Sequence, residues 1–332
     1  MERAHPRQVL FADADVAPDI PVCDHYCGTE NRMHKSLALQ AEMGPVFDVT
    51  LDCEDGAPVG AEAAHVRMVA ELVMSDANHF GRVGARVHPI EHPAFADEIE
   101  TLVARAGARL SHLMVPKPRD LADVERAVQA IDAAARRHGQ AQGPAVHVMV
   151  EGHGALRDAF AIAAHPRVQS LSFGLMDFVS AHRGAIPVTA MSVHGQFEHP
   201  LVRRAKLEIA AACHAAAKVP SHCVVTEFRH TAALQAAATR AAHEFGFTRM
   251  WSIHPEQIQS IIDVFAPTVA ELDEAVAIIT EAQAAHWAPI RHRDLLHDRA
   301  SYRYYWQVIE RARRTGQPLP AEVERAWFGP AI

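Results

Sequence analysis

The stretch FDVTLDCEDGAP, Phe47–Pro58, runs an apolar segment directly into three acidic residues, Asp52, Glu54 and Asp55. The segment Phe47–Asp52 has the length and composition of a buried β-strand. After it, apolar side chains recur every three or four residues over Gly60–Asn78, which predicts a helix. The three acids therefore lie where a strand gives way to a helix.

This alternation of strand and helix repeats along the chain. Further helices are predicted at Asp120–His138, Pro200–Lys218 and Thr231–Phe245. Strands that alternate with helices pair in parallel, and eight such strands predict a (β/α)8 barrel, with a doubly wound sheet as the alternative. The predicted strands are Val22–Cys27, Phe47–Asp52, Arg82–His88, His112–Pro116, Ala145–Val150, Val168–Phe173, Cys223–Glu227 and Phe247–Ile253.

Composition limits the function. The chain has 332 residues, of which 49% are hydrophobic and 22% charged, as in an ordinary globular protein. Its formal net charge of -8 offers no global positive field for nucleic acid or an anionic membrane. The N-terminus lacks the pattern of a secretory leader, and five scattered cysteines indicate reduced thiols rather than structural zinc. We therefore expect a cytoplasmic enzyme that binds neither nucleic acid nor membrane.

After Pro267 the pattern changes to helix only. The run RASYRYYWQVIERARR, Arg299–Arg314, is dense in aromatic and arginine residues, and Tyr302, Trp306 and Ile309 fall on one helical stripe. Such a stripe is more typical of packing on another subunit than of binding nucleic acid. We predict a barrel over 1–267, a helical extension over 268–332 that contacts a neighbour, and a homo-oligomer, either a trimer or a hexamer.

In a (β/α)8 barrel the carboxyl ends of all strands open on one mouth, where active sites are built. Besides the three acids after Phe47–Asp52, this rule gathers polar residues from four other strand ends. They are Arg86, Lys117, Glu151 and Asp177. The sequence therefore predicts a polar site at the mouth.

Glu151 and Asp177 follow neighbouring strands, five and six, which aims two carboxylates at one point. Such a pair suits a hard ion such as Mg²⁺. Taken alone, each residue also has a structural interpretation: Glu151 as a strand-end cap, Asp177 as a helix N-cap, and Arg86 as an ion-pair partner of Glu54 or Asp55.

Several motifs together resemble the HpcH/HpaI aldolase and citrate lyase superfamily, and within it the citrate lyase β-subunit and malyl-CoA lyase branch. LDCEDGAPVGAEAAHVRMV is similar to that branch's D-x-E-D segment, and GARVHPIEHP to its R-V-N-P segment with His88 in place of Asn. SHLMVPKPRDLADVERA, VMVEGHGALRD and SLSFGLMDF match its P-K, E-T-x-x-G and F-G-x-x-D segments. FGFTRMWSIHPEQI is similar to its final H-P-x-Q-I block, and the likeness runs from about Cys27 to Pro267.

The resemblance implies a (β/α)8 barrel that holds Mg²⁺ through Glu151 and Asp177 and breaks or forms a carbon–carbon bond next to a carbonyl. It also implies that Arg86 stabilises an enolate oxygen, while Asp52, Glu54 and Asp55 hold Arg86 and the surrounding loop in place. Catalytic roles are thereby expected for these four residues. Substrate-binding roles are expected for Arg86, Lys117 and Glu151.

Departures from the family pattern refine these expectations. Aldolases of free 2-oxo acids carry D-x-E-H where this chain has Asp55, so the resemblance favours acyl-CoA thioesters over free 2-oxo acids as substrates. YCGTENRMHKSLAL replaces the family's P-R-x-x-x-K-A segment, leaving Arg32 and Lys35 either as anchors for thioester phosphates or as solvated first-turn charges.

The tail departs further. In the thioester lyases a segment resembling D-G-x-M-I-D supplies an acid or base to the neighbouring subunit, whereas the matching region here reads APIRHRDLLHDRASY. Asp294 and Asp298 are the candidates, and Asp298 is taken as the catalytic one. A Mg²⁺-dependent lyase of 3-hydroxyacyl-CoA is the leading hypothesis. The alternatives are an aldolase of free 2-oxo acids and a non-catalytic relative that binds metal or acyl thioester, alone or as the subunit of a complex.

Overall fold

The structure is a computed structural model that describes residues 5–11, 16–227 and 230–329. The N-terminal segment that lacks the pattern of a secretory leader lies partly outside the described residues, at 1–4 and 12–15. No helix among those described is long and apolar enough to cross a bilayer.

Eight parallel strands close into a barrel in which each strand pairs with the next and β8 pairs with β1. Closure confirms the barrel and rules out the doubly wound sheet. The strands are β1 Cys23–Cys27, β2 Phe47–Asp52, β3 Val83–Arg86, β4 His112–Val115, β5 Ala145–Val150, β6 Val168–Phe173, β7 Val219–His222 and β8 Arg249–Ser252.

The helices form a layer around the barrel and a separate C-terminal group. They are α1 Pro6–Leu10, α2 Glu30–Met43, α3 Glu62–Met74, α4 Phe95–Ala106, α5 Leu121–Arg137, α6 His153–Arg157, α7 Ala159–Ala164, α8 Leu175–Ser180, α9 Gly195–Glu198, α10 Pro200–Ala215, α11 Thr231–His243, α12 Pro255–Phe265, α13 Val269–Ala284, α14 Arg299–Arg314 and α15 Ala321–Trp327. A 3-10 helix covers Val188–Met191.

The seventh strand was predicted in the wrong place. β7 is Val219–His222, whereas the predicted segment Cys223–Glu227 forms the loop after it. Pro220 made the true strand look unfavourable because proline has no N–H to donate to a ladder. Val224 and Val225 are β-branched residues, which favour strands, so the strand was predicted too far toward the C-terminus.

The barrel interior has three layers. Nearest the strand N-termini, polar side chains such as Asp24 and Arg249 form ion pairs. Above them Tyr26, Met114, Met149 and Trp251 form a compact apolar cluster. The functional side chains lie above this cluster, at the carboxyl ends of the strands. The apolar cluster thus separates two groups of buried charges.

The tail is not helix only, because a two-stranded antiparallel hairpin interrupts it. Its strands are β9 Ile290–His292 and β10 Leu295–His297. Arg293 and Asp294 at the turn have φ angles of +43° and +66°. A turn with two positive φ angles normally uses Asn or Gly, so Arg293 and Asp294 carry no clear hairpin signal.

The aromatic stripe of α14 packs inside its own chain. Tyr302, Trp306 and Ile309 are fully buried in a second hydrophobic cluster with residues of α13. Leu10 of α1 belongs to the same cluster, so α1 packs with the C-terminal helices. The expectation that this stripe packs on another subunit was therefore wrong, because the described chain covers it. The division at 267 and 268 stays a prediction.

Candidate active site

A cavity of about 890 Å³ opens at the carboxyl ends of the strands. It is lined by side chains that end or follow several of the barrel strands, including Asp52, Arg86, Glu151 and Asp177. The barrel thus brings together most of the residues that the sequence predicted for the mouth.

Arg86 ends β3 and is held by two carboxylates. Its Nε donates to Asp52 Oδ1 at 2.7 Å, and its Nη1 lies 2.9 Å from Glu54 Oε2. Burial alone would lower the pKa of this guanidinium, but hydrogen bonding to Asp52 and the charges of Asp52 and Glu54 raise it. Arg86 is therefore a fixed cation, with its charged end 5.6 Å from the centre of the Tyr26 ring.

Asp52 also shapes the loop that follows β2. Its two oxygens accept hydrogen bonds from the backbone N–H groups of Glu54 at 3.0 Å and Gly56 at 2.9 Å. A Cβ at Gly56 would come within 2.4 Å of Asp52 Oδ2, so only glycine fits there. This carboxylate therefore fixes the loop and the guanidinium together.

Lys117 joins the other two acids of the opening stretch. Its Nζ donates to Glu54 Oε1 and, at 2.8 Å, to Asp55 Oδ2. Burial would lower the pKa of this ammonium group, but the bonds to Asp55 and Glu54 raise it. Glu54 thus bridges Arg86 and Lys117, which explains why three acids follow β2.

Glu151 is a buried carboxyl with one unpartnered oxygen. Its Oε1 accepts from the Lys117 backbone N–H at 2.6 Å, whereas Oε2 has no hydrogen-bond partner among the described residues. Burial, followed by the charge of Asp177, raises its pKa to about 8. The side chain is only 4% exposed and lies against Gly174, where a Cβ would come within 2.3 Å of Oε2.

Asp177 lies in the first turn of α8 and lines the cavity with Glu151. Gly174, not Asp177, is the N-cap residue of α8, so the capping interpretation of Asp177 was wrong. Both carboxyls also line a side cavity of about 440 Å³. Two adjacent carboxylates, one with an unpartnered buried oxygen, suit a hard divalent cation. Glu151 and Asp177 therefore fit a Mg²⁺ ion.

The remaining predicted residues lie apart from this centre. Arg32 and Lys35, in the first turns of α2, are exposed and line the cavity rim. Asp298 is the N-cap of α14 and accepts from the Ala300 backbone N–H at 2.9 Å. Asp294 pairs with Arg291 at 2.6 Å. Neither aspartate belongs to the described lining of this chain's own cavity.

The sequence did not single out the apolar part of the cavity. Met176, Val188 and Met191 line it, as do Val224 and Ile253. Met176 is 54% and Val188 72% exposed. Position was the sequence signal for three of them. Met176 stands directly before Asp177, and Val224 and Ile253 lie in predicted strands.

A second group of possible metal ligands lies in the lowest barrel layer. One ligand atom each of Asp24, His112 and His147 lie within 4.8 Å of one another, all buried. Burial lowers the pKa of both imidazoles, which are stacked 4.0 Å apart at an angle of 10°. Arg249 Nη2 lies 2.9 Å from Asp24 Oδ2. Since an ion lies in the plane of each imidazole that binds it, these near-parallel rings would have to turn to share one.

Sequence comparison agrees with this architecture. The family model HpcH/HpaI aldolase/citrate lyase matches residues 33–255. The chain therefore belongs to the HpcH/HpaI aldolase/citrate lyase family, whose aldolases and citrate lyases are carbon–carbon lyases.

Individual relatives include one of high similarity. A citrate lyase from Burkholderia xenovorans LB400 is 52% identical with a TM-score of 0.85, covering 98% of this chain and 100% of that chain. An L-malyl-CoA/β-methylmalyl-CoA lyase from Cereibacter sphaeroides is 26% identical over 279 residues, 80% of this chain and 86% of that protein. CitE from Mycobacterium tuberculosis, solved with magnesium, acetoacetate and coenzyme A, is 19% identical with a TM-score of 0.67, covering 90% and 98%, and shares the fold.

Proposed function

We propose that this protein is a Mg²⁺-dependent carbon–carbon lyase that cleaves or forms a 3-hydroxyacyl-CoA thioester through an enolate. The observation that carries the proposal is the buried Glu151 carboxyl, whose unpartnered oxygen lies beside Asp177 in the mouth cavity. The names of the malyl-CoA lyase and of CitE in complex with magnesium support the same assignment.

Glu151 and Asp177 are the residues that would hold the ion. When bound, Mg²⁺ supplies charge neutralisation and a fixed orientation for substrate oxygens. Without a cation, burial keeps Glu151 protonated up to about pH 8. With a divalent cation bound, the two carboxylates would have a partner of opposite charge, which would favour the ionised form of Glu151.

Arg86 stabilises the charge that develops when the carbon–carbon bond breaks. The electron pair of that bond moves onto the acyl fragment, which becomes an enolate with negative charge on oxygen. A cation already fixed by Asp52 and Glu54 needs no reorganisation to receive this charge. Lys117 donates to Glu54 from its other side, and Asp55 accepts from the same ammonium group. Arg32 and Lys35 at the rim are suited to the phosphates of the thioester carrier.

Proton transfer requires a further group. The substrate hydroxyl must lose a proton and the enolate carbon must gain one. We assign this role to Asp298 of a neighbouring copy in a homo-oligomer, a trimer or hexamer, because this residue does not line the cavity of its own chain.

A screen tests the proposed function. The protein is incubated with 3-hydroxyacyl-CoA thioesters with Mg²⁺ or with EDTA, and released 2-oxo acid is measured. We expect release only with Mg²⁺, and none from an Asp177→Asn variant, while the exposed-site control Asp76→Asn keeps full activity. Equal release in EDTA would contradict the metal assignment.

A second candidate is a protein that binds metal and thioester without turnover. It is favoured by the separation of Asp294 and Asp298 from the cavity lining. In that case calorimetry would detect Mg²⁺-dependent thioester binding, while no thioester of the screen would yield 2-oxo acid.

A further inference from the structure

A second cavity, of about 510 Å³, lies at the opposite end of the barrel from the mouth. Pro21, Val46 and Arg82 line it, and they stand one or two residues before β1, β2 and β3. Its other side is formed by side chains of α1, α14 and α15. We call it the basal cavity. A strand of six residues such as β2 spans roughly 20 Å, which separates the basal cavity from the candidate active site.

The basal cavity is basic although the whole chain has a formal net charge of -8. In the part of the chain that the structure describes, its lining contains twice as many arginines as acids: Arg7, Arg82, Arg313 and Arg314 against Asp19 and Glu310. A further acid, Glu324, lies 3.9 Å from Arg313. Guanidinium groups stay charged at every physiological pH, and a concave site that they line attracts anions.

The carboxylates of this cavity hold the arginines only loosely. Arg7 Nε lies 3.3 Å from Glu310 Oε1, which already accepts from the Trp306 indole N–H at 2.8 Å. Arg314 Nε lies 3.5 Å from Asp19 Oδ1, and this buried nitrogen has no hydrogen-bond partner among the residues described. Hydrogen bonds between charged groups are normally about 2.7–2.9 Å long. A buried donor without an acceptor is costly, so these guanidinium groups favour a ligand that supplies one.

The size and chemistry of the lining indicate the class of ligand. The planar guanidinium group matches the oxygens of a phosphate group in a bidentate fork. A volume of about 510 Å³ is far larger than one phosphate and lies in the range of sites for small organic molecules. Trp327 and Phe328 also line the cavity, and the Arg313 guanidinium lies 4.8 Å from the centre of the Phe328 ring. The lining therefore combines groups for phosphate oxygens with aromatic groups for an organic part.

We propose that the basal cavity binds a small molecule that carries a diphosphate group. The oxygens of this group accept from Arg7, Arg82 and Arg314, and they give Arg314 Nε the acceptor that it lacks. Arg82 donates to the neutral backbone carbonyl of Asp19 at 3.1 Å, so its charge stays available to the ligand. Inorganic pyrophosphate and a nucleoside diphosphate share this chemistry, and the test separates them. The inference does not depend on the proposed lyase activity.

Isothermal titration calorimetry of the full chain in EDTA tests the site, with pyrophosphate, ADP, inorganic phosphate and malonate as probes. We expect pyrophosphate or ADP to bind at least about tenfold more tightly than phosphate and malonate, and to bind less tightly as the salt concentration rises. Tighter binding of ADP than of pyrophosphate identifies a nucleotide, because the aromatic side chains then contribute, and the reverse order identifies the inorganic ion. Equal affinities for all four probes, or no binding of either diphosphate, would overturn the proposal.

A double variant locates the bound diphosphate. Arg7→Gln with Arg314→Gln removes two guanidinium groups and should weaken the tighter-binding diphosphate probe about 100-fold, since a hydrogen bond between charged groups contributes about tenfold or more. The matched control, Arg203→Gln with Arg204→Gln at exposed positions of α10, removes the same charge and should leave the affinity unchanged. Unchanged affinity in the basal variant, or an equal loss in the control, would overturn the proposal.

Two further variants separate the basal cavity from the mouth and from effects on folding. Arg313→Gln changes a side chain that is 50% exposed, so the fold is not at risk, and should weaken binding about tenfold. Arg32→Gln with Lys35→Gln, at the rim of the mouth cavity, should still bind one diphosphate per chain. Circular dichroism checks that each variant is folded. Loss of binding in the rim variant, with full binding in Arg313→Gln, would place the anion in the mouth and overturn the basal site.

Discussion

Replacing Glu151 by Gln should stabilise the metal-free protein at alkaline pH while abolishing its response to Mg²⁺. Burial and Asp177 raise the pKa of Glu151 from 4.5 to about 8. The folded protein therefore holds this proton more tightly than the unfolded chain does. Stability that is present below about pH 4.5 is lost as the pH rises to about 8.

The magnitude follows from the size of the pKa change. One pH unit corresponds to about 1.4 kcal/mol, so the full change from 4.5 to about 8 corresponds to about 5 kcal/mol above pH 8. Because the mouth admits water and neighbouring groups relax, we expect about half of this, roughly 2 kcal/mol. Gln keeps the acceptor for the Lys117 backbone N–H but carries no charge, so the variant avoids the loss.

Denaturant unfolding in EDTA at several pH values measures this effect. The difference in unfolding free energy between Glu151→Gln and the unchanged protein should be small near pH 5 and reach roughly 2 kcal/mol in favour of the variant at pH 8.5. Mg²⁺ at 100 times its dissociation constant should add about 2.7 kcal/mol to the unchanged protein and nothing to the variant. Glu42→Gln, at an exposed position of α2, is the control and should shift stability by less than about 0.5 kcal/mol. A Glu151→Gln protein less stable than the unchanged one in EDTA at pH 8.5 would refute the reasoning.

Three further predictions concern turnover. Asp177→Asn should abolish Mg²⁺-dependent release of 2-oxo acid without loss of fold by circular dichroism, and full activity in this variant would remove Asp177 from the metal site. Arg86→Lys keeps the charge but loses the planar fork, so kcat should fall roughly 100-fold in steady-state assays, whereas a change in KM alone would make Arg86 a binding residue. Asp298→Ser retains an N-cap for α14 but removes the carboxylate, so turnover should be lost and partly restored when these subunits are mixed with Glu151→Gln subunits. Absence of this complementation, with assembly intact and both parents inactive, would reject a shared site.

The sequence predicted the barrel and its mouth because both depend on local periodicity and chain direction. A strand such as Phe47–Asp52 is recognisable alone, and parallel strands must place their carboxyl ends together. Ion-pair partners were harder to predict, since five acids and two cations at one mouth allow many pairings. The structure pairs Arg86 with Asp52 as well as Glu54, whereas the sequence had suggested Glu54 or Asp55.

The tail was predicted less well for a different physical reason. Helical periodicity shows that one face of α14 is buried, but it does not show what covers that face. Trp306 is covered by residues of this chain, including Leu10 nearly 300 positions away. Long-range contacts of this kind leave no local pattern in the sequence.

The layered interior explains why the mouth pair, rather than the deeper cluster, is the better site for an exchangeable cation. Asp24 in the lowest layer already faces the Arg249 guanidinium, which it shares with Asp48, so an ion bound there would lie beside a buried cation. The apolar layer of Tyr26, Met114, Met149 and Trp251 lies between this cluster and the mouth, and a hydrated ion would have to shed its water to pass. Glu151 faces neither obstacle, since its free oxygen lies beside a second carboxyl at an open cavity. The lowest layer thus holds a buried cation and is separated from solvent by apolar side chains, which favours the mouth pair as the site proposed for Mg²⁺.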